Sequence, residues 1–242
     1  MENKITWNKN PVIAHRGAWK KKGLPENSIA SLKEAIKLGC YGAEFDVHMT
    51  MDSILVVNHD PDFLGIPIAT STYTQLLEKK LSNGESIPTL EAYLKVGKTQ
   101  KGTKLILELK PTKNRAEWDL QMTRKAVAMV QQTGATAWVD YISFSYAIGE
   151  EVLALQPNAR VAYLNGDATL EKLKASGFDG ADYHFSVYKN GDWFTKSKAL
   201  GLTLNAWTVN TLEDMNWLLD QDIEFITTNE PERLFELLKT RK

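Results

Sequence analysis

The sequence predicts a (β/α)8 barrel, and three observations support this fold class. Short apolar segments alternate with helical segments along the whole chain, a pattern typical of parallel sheets. Eight such strand–helix units in 242 residues match the usual size of an eight-stranded barrel, about 250 residues. A doubly wound open sheet is the alternative. It normally carries a glycine-rich turn after its first strand, and the sequence has none there.

Eight segments have the length and apolar content of buried strands. They cover residues 12–15, 42–48, 104–110, 139–144, 160–164, 179–184, 202–208 and 223–227, and residues 54–58 form a further extended segment. More than fifty residues separate the second and third strands, which is longer than one helix requires. We therefore expect one barrel domain over 1–242, with an insertion at approximately 58–87 on the catalytic face.

The segments between the strands have helical spacing. The predicted helices cover residues 27–38, 89–96, 115–132, 147–155, 170–176, 212–220 and 231–239, with a partly helical segment before residue 200. Gly39 is a suitable C-cap for the first helix, and Asn27 is its expected N-cap. Asn229 is the expected N-cap of the last helix, with Glu232 as capping-box partner and Pro231 in the first turn.

The composition excludes several functional classes. With 29 Lys+Arg against 30 Asp+Glu, the net charge is −1, so the chain lacks the basic excess of a nucleic-acid-binding protein. The single cysteine, Cys40, excludes a disulfide framework and a cysteine-cluster zinc site. The sequence shows no signal peptide and no transmembrane segment. We expect a cytoplasmic location, or a periplasmic or secreted one if a leader has been removed.

Charged residues occupy two strands where a barrel should be apolar. Glu44 and Asp46 share one face of the second strand, and Glu108 and Lys110 share one face of the third, because alternate residues of a strand point to the same side. Three converging carboxylates would repel one another and lose hydration. We therefore expect a divalent cation, and oxygen ligands favour Mg²⁺ or Ca²⁺ over zinc. Exposed edge charges or a plain Glu108–Lys110 pair are the alternatives.

Two of the four histidines lie beside a charged residue close to a strand end. His15 precedes an arginine, and His59 precedes an aspartate. Because imidazole titrates near neutral pH, such a pair can serve as acid and base. We expect His48, on the face of the carboxylates, to be structural. His184 ends the sixth strand, where a structural role and a ligand contact both remain open.

Six short motifs together resemble the glycerophosphodiester phosphodiesterase family. They are HRG at 15–17, PENS at 25–28, AEFDVHMTMDSILVVNHD at 43–60, IPTLEAYL at 87–94, LILELK at 105–110 and LNAWTVN at 204–210. Each is weak alone, but all six occur in family order. The resemblance implies a TIM barrel with a small insertion after the second strand. It also implies metal-dependent hydrolysis of small glycerophosphodiesters, a part of glycerol and lipid metabolism, to sn-glycerol 3-phosphate and an alcohol.

The resemblance further implies roles for matched residues. Glu44, Asp46 and Glu108 would be the metal ligands. His15 and His59 would be the acid–base pair, and which of them is the acid stays open. Related phospholipases suggest that the glycerol 2-hydroxyl can attack first to give a cyclic phosphate. Direct hydrolysis by water remains the other route.

Other matched residues would bind the substrate. Arg16 and Lys110 would contact the phosphoryl oxygens, and Glu26 would order the site or touch the metal. Trp207 would pack near the glycerol moiety, with core filling as the alternative. Asn229 stands where many family members have aspartate. We expect little loss there, since either residue can cap a helix.

Two rival functions remain. A lysophospholipase D would need an apolar mouth, which Phe63, Leu64, Ile66 and Ile68 of the insertion can supply. The second rival is a barrel that has lost catalysis and acts as a binding protein, which the retained histidines and carboxylates disfavour. The family arginine after the His-Asp pair is also absent here, so the insertion is expected to set the preference for the leaving alcohol.

Overall fold

A closed ring of parallel strands forms the centre of the molecule. The computed structural model describes residues 5–241, and within these it contains eight ring strands. They are β1 (Val12–Ala14), β2 (Gly42–Met49), β3 (Lys104–Leu109), β4 (Val139–Ser143), β5 (Val161–Tyr163), β6 (Gly180–His184), β7 (Thr203–Trp207) and β8 (Phe225–Thr228). Each strand pairs with the next in the chain, and β8 pairs with β1. The predicted (β/α)8 barrel is confirmed.

One helix follows each ring strand. The helices are α1 (Ile29–Leu38), α2 (Leu90–Gly97), α3 (Ala116–Gln132), α4 (Tyr146–Leu155), α5 (Leu170–Ala175), α6 (Trp193–Leu200), α7 (Leu212–Asp220) and α8 (Pro231–Thr240). The main core contains Phe45 and Val47 of β2 and Leu107 and Leu109 of β3. These alternate with the charged residues, as a period of two requires. In residues 5–241 no helix is both long enough and apolar enough to cross a membrane.

The connection between β2 and α2 carries several small elements. They are an antiparallel strand (Leu55–Val57), a hairpin (Asp62–Phe63 and Ile66–Pro67), a 3-10 turn (Ile68–Thr70) and a short helix (Tyr73–Leu76). Phe63 and Ile68 are buried in a small hydrophobic cluster of this region, Ile66 packs against it, and Leu64 is exposed. Two of the four residues expected to supply an apolar mouth are therefore interior.

Both asparagine N-caps predicted from the sequence are wrong. Ser28 is the N-cap of α1 and forms a capping box with Ser31. Asn27 precedes it, is buried, and has a left-handed backbone (φ 54°). Glu230 occupies the N-cap position of α8, where no side-chain cap bond is formed among the described residues. Asn27 instead bonds to Asp46, and Asn229 bonds to His15. Asp46 and His15 are ionisable groups inside the barrel, and such groups need hydrogen-bond partners.

A tight turn after β1 contains two successive left-handed residues. Arg16 has φ 55° and Gly17 has φ 78°. A Cβ atom built on Gly17 would lie 2.5 Å from Ser31 Oγ and 2.7 Å from the Ser31 carbonyl carbon. Glycine is therefore required at residue 17 both by its backbone conformation and by close packing against α1.

We expect Gly17→Ala to lower the free energy of unfolding by about 3 kcal/mol, because left-handed backbone costs an alanine about 1–2 kcal/mol and overpacking adds about 1–3 kcal/mol. Gly23→Ala is the matched control. Gly23 has φ 62°, and no described atom lies within 4 Å of its added Cβ. The control should lose only about 1 kcal/mol. Urea denaturation measures both values, and equal losses would contradict the packing argument.

Candidate active site

Three carboxylates meet inside one end of the barrel. Glu44 and Asp46 lie on β2, and Glu108 lies on β3, in register with Asp46. All three residues are buried, and one oxygen of each lies within 4.8 Å of the others. Glu108 is next to the last residue of β3, and Glu44 directly follows Ala43, which pairs with the last residue of β1. The cluster therefore lies at the end of the barrel where the catalytic residues of barrel enzymes are found. The structure therefore brings together the three residues predicted to hold a metal.

The carboxylates interact strongly because water is excluded from them. Burial and the charges of its neighbours raise the pKa of Glu44 well above its usual range. Burial and the nearby Asp46 carboxylate raise the pKa of Glu108 to about 8. Burial alone would also raise the pKa of Asp46, but the Lys110 ammonium and other favourable neighbours outweigh it and hold that pKa below its usual value. The cluster thus favours additional positive charge.

The chemistry of these donors fits a divalent cation. Carboxylate oxygens are the preferred ligands of Mg²⁺ and Ca²⁺. Glu44 Oε1 is buried and has no hydrogen-bond partner among residues 5–241. A buried acceptor without a partner is unfavourable, and a cation would satisfy it. The arrangement supports a divalent metal site and suits both ions.

Lys110 lies directly beside this cluster. Its Nζ atom is 2.8 Å from Glu108 Oε1 and 3.3 Å from Asp46 Oδ1. The residue is thus a counter-charge for two of the carboxylates. Its ammonium group thus lies beside two of the residues predicted to hold the cation.

Arg16 links the turn after β1 to the same cluster. Its backbone N–H donates to Glu44 Oε2 at 2.8 Å, and its Nη1 donates to Glu26 Oε1 at 2.7 Å. Glu26 is 41% exposed and does not belong to the carboxylate cluster found within the described residues. Its contact is with the guanidinium, so Glu26 orders the site by positioning Arg16.

Asn27 is a site residue whose contact the sequence analysis did not predict. Its Nδ2 donates to Asp46 Oδ2 at 2.8 Å, and its Oδ1 accepts from the Asp46 backbone N–H at 3.2 Å. These paired bonds fix the orientation of the Asp46 carboxylate. The PENS motif contains Asn27, but its place before a helix favoured the cap interpretation.

His15 is held by a residue from the opposite end of the chain. Its Nδ1 lies 2.7 Å from Asn229 Oδ1. Because an amide oxygen only accepts, Nδ1 carries the hydrogen, and Nε2 faces Glu44 Oε2 at 3.9 Å. Burial, assisted by the positive charge of Arg16, lowers the pKa of His15 to about 4. Asn229 therefore positions an imidazole and does not cap α8.

The other histidines have different environments. His59 Nδ1 lies 2.8 Å from Asp60 Oδ1 and donates to it; within residues 5–241 its Nε2 forms no hydrogen bond. His48 is buried, and its Nε2 lies 3.0 Å from the His59 carbonyl oxygen, a contact in keeping with the structural role expected for it. His184 is exposed, and its Nδ1 lies 2.7 Å from Ser186 Oγ.

His15, Glu44 and Glu108 line one small cavity inside the barrel. Its lining consists of His15, Glu44, Glu108, Ile142, Phe144, Leu164, Asp182, Trp207 and Thr227. The indole N–H of Trp207 donates to the Asp182 carbonyl oxygen at 2.8 Å, and its ring meets Phe144 edge to face at 5.4 Å.

Comparisons with known proteins agree with this arrangement. Residues 15–233 match the model of the glycerophosphoryl diester phosphodiesterase family. A glycerophosphodiester phosphodiesterase from Caldanaerobacter subterraneus is 26% identical, over 96% of this chain and 98% of the relative.

Solved structures give the same result. The crystal structure of a glycerophosphodiester phosphodiesterase from Parabacteroides distasonis is 43% identical, with a TM-score of 0.92 over 98% of this chain and 99% of that one. A phosphodiesterase from Oleispira antarctica, solved with the product sn-glycerol 3-phosphate, is 26% identical. Its TM-score is 0.81 over 95% of this chain and 97% of that one.

Lys110 compensates the charge of two buried carboxylates, Asp46 and Glu108. We expect Lys110→Met to destabilise the metal-free protein by about 3 kcal/mol, because removing one partner of a buried ion pair leaves its charge uncompensated. Added Mg²⁺ or Ca²⁺ should restore most of this loss, since a cation would offset the same carboxylates. Urea denaturation in EDTA and in each metal ion measures the effect.

The matched control is Lys104→Met. It breaks the buried Lys104–Asp140 pair, whose atoms lie 2.9 Å apart, at the other end of the barrel. This variant should also be less stable, but without selective rescue by the metal. Equal rescue of both variants, or of neither, would count against a cation at the three carboxylates.

Proposed function

The chain belongs to the glycerophosphoryl diester phosphodiesterase family and is an enzyme that hydrolyses glycerophosphodiesters; we propose that it does so with one divalent cation and two histidines. The observation that carries this proposal is the cluster of three buried carboxylates, two of which, Glu44 and Glu108, line one cavity with His15. The Oleispira antarctica relative holds sn-glycerol 3-phosphate, which supports the same product here, together with a free alcohol.

In this proposal Glu44, Asp46 and Glu108 hold the cation. When bound, such an ion supplies positive charge that polarises a phosphoryl oxygen. The side chains of Arg16 and Lys110 bind the remaining phosphoryl oxygens and offset the charge that develops on them during displacement. Arg16 is kept in place for this by Glu26, and Asp46 is kept in place by Asn27.

The two histidines move the protons. In His15 and His59 the Nδ1 atom is committed to Asn229 and Asp60, respectively, so Nε2 is the atom that exchanges protons with the substrate. One histidine takes the proton of the nucleophile, which is water or the glycerol 2-hydroxyl, and the other gives a proton to the leaving alkoxide. Fixed Nδ1 partners keep each ring oriented between these steps.

Small deacylated diesters are the favoured substrate class over lysophospholipids. A lysophospholipase D needs an apolar surface for an acyl chain at the mouth of the site. In the insertion, Phe63 and Ile68 are only 2% and 1% exposed, because they form part of its own core. Leu64 alone among the four candidates is largely exposed.

The direct test is the release of glycerol 3-phosphate from glycerophosphocholine, -ethanolamine, -inositol and -glycerol. Lysophosphatidylcholine, whose cleavage by a lysophospholipase D yields lysophosphatidic acid and choline, is followed by choline release for comparison. We expect turnover with Mg²⁺ or Ca²⁺, loss of turnover in EDTA, and recovery when metal is restored. Full activity in EDTA would refute the cation. Preferred cleavage of lysophosphatidylcholine would support the rival substrate class, and turnover of none of these diesters would refute the function.

The histidine roles have a separate test. His15→Ala and His59→Ala should each reduce kcat by about 10²–10⁴-fold, the usual contribution of a general acid or base. Thermal unfolding with and without metal shows whether each variant remains folded and still binds the ion. A folded, metal-binding variant with nearly unchanged kcat would remove that histidine from the mechanism.

A further inference from the structure

A fourth carboxylate lies in the wall of the active-site cavity. Asp182, on β6, is 2% exposed, and its side chain lines the cavity together with His15, Glu44 and Trp207. Its Oδ1 atom has no hydrogen-bond partner among residues 5–241. A buried carboxyl group without a full set of partners is unfavourable, and the mechanism above gives it no role.

The charged residues nearest to it are already engaged with others. Asp182 also borders a second cavity, which extends to Asp140, Arg160 and Asp179. Arg160 lies 3.7 Å from Asp179, and Asp140 is paired with Lys104. Among the described residues no ion pair includes Asp182. Asp182 therefore differs from Asp140 and Asp179, which both have a cationic partner.

Its polar neighbours only partly compensate for burial. Asn205 lies opposite Asp182 in the β6–β7 register, but its Nδ2 donates to Thr227 Oγ1 at 2.8 Å. Burial raises the pKa of Asp182 to about 7, and the Asn205 amide opposes this only in part. Near neutral pH the carboxyl group can therefore both donate and accept a hydrogen bond.

We propose that Asp182 is a specificity-determining residue, whose side chain binds the terminal hydroxyl group of the glycerol moiety. This inference rests on the proposed function and concerns the same site. The backbone carbonyl of Asp182 already orients the Trp207 indole. One residue thus places an apolar ring against the carbon chain and a polar group against a hydroxyl, which matches the two surfaces of glycerol.

Other substrate groups fit this position less well. A phosphoryl oxygen is anionic and would be repelled by a carboxylate, whereas Arg16 and Lys110 attract it. The quaternary ammonium of choline has no N–H and would leave Oδ1 without a hydrogen bond. A neutral hydroxyl can donate to the carboxylate or accept from the carboxylic acid, so its binding survives titration of Asp182.

The experiment compares two substrates that share a leaving group. Glycerophosphocholine carries both glycerol hydroxyls, and 2-hydroxypropylphosphocholine keeps the 2-hydroxyl, one of the two possible nucleophiles, but lacks the terminal hydroxyl. For the wild type and Asp182→Val we would measure kcat/KM on both in the metal that supports turnover. We expect the preference for glycerophosphocholine to fall about tenfold in the variant, which corresponds to one hydrogen bond of roughly 1.4 kcal/mol. Asp182→Asn should retain part of it.

Asp140→Val is the matched control. It removes another inward carboxyl group, at the far end of the barrel, and should lower stability without changing the preference. An unchanged preference in Asp182→Val, or an equal change in both variants, would overturn the inference. So would a loss on both choline diesters that spares glycerophosphoglycerol, since the bound group would then be the ammonium. Failure of the wild type to cleave any glycerophosphodiester would instead refute the proposed function.

Discussion

Burial of Glu44, Asp46 and Glu108 against one another is electrostatically unfavourable, and much of the surrounding structure offsets it. Lys110 contacts two of these carboxylates, the Arg16 backbone donates to the third, and Asn27 donates to Asp46. These contacts come from two segments, the connection between β1 and α1 and the residue that directly follows β3. Like charges in a dry environment interact strongly. The closed barrel brings together the groups that offset this repulsion. Because these groups do not fully compensate the three carboxylates, the cluster is suited to bind a cation.

Closure of the ring determines which parts of the chain can cooperate in this way. Because β8 pairs with β1, Asn229 reaches His15, although 214 positions separate them. The turn at Gly17 then returns the chain toward α1 and places Asn27 beside Asp46. The closed sheet and the left-handed turn together make a site from segments that are remote in sequence.

Local sequence patterns predict the barrel and the carboxylates but not the contacts between remote segments. The barrel follows from local signals, since each strand and helix has its own periodicity and eight repeats permit few arrangements. The carboxylates follow from a period of two within single strands. The partners of His15 and Asp46 could not be predicted in this way. Asn27 and Asn229 both precede helices, where a local role as N-cap competes with a tertiary contact, and only the folded chain shows that the tertiary contact prevails.

The role of Asp182, like the partners of His15 and Asp46, could not be predicted from the local sequence. A single acidic residue inside an apolar strand can pair with a lysine, meet a ligand or remain exposed, and the strand alone does not distinguish these. Its position in the ring does. The charged groups of the site come from β1, β2 and β3 and the segments that follow them. The lining that carries Asp182, Phe144 and Trp207 comes from β4 to β7 and the residues that follow them.

The barrel thus separates the groups suited to phosphoryl chemistry from those suited to contact with the rest of the substrate. Substitutions in the lining from β4 to β7 change the shape and polarity of the cavity. The carboxylates keep their partners, which lie in the segments that follow β1 and β3. Because the Trp207 indole donates to the backbone carbonyl of Asp182, a substitution of the Asp182 side chain changes the polarity of the cavity wall and retains that bond. Selectivity among diesters can therefore vary within this fold without disturbing the electrostatic balance on which the site depends.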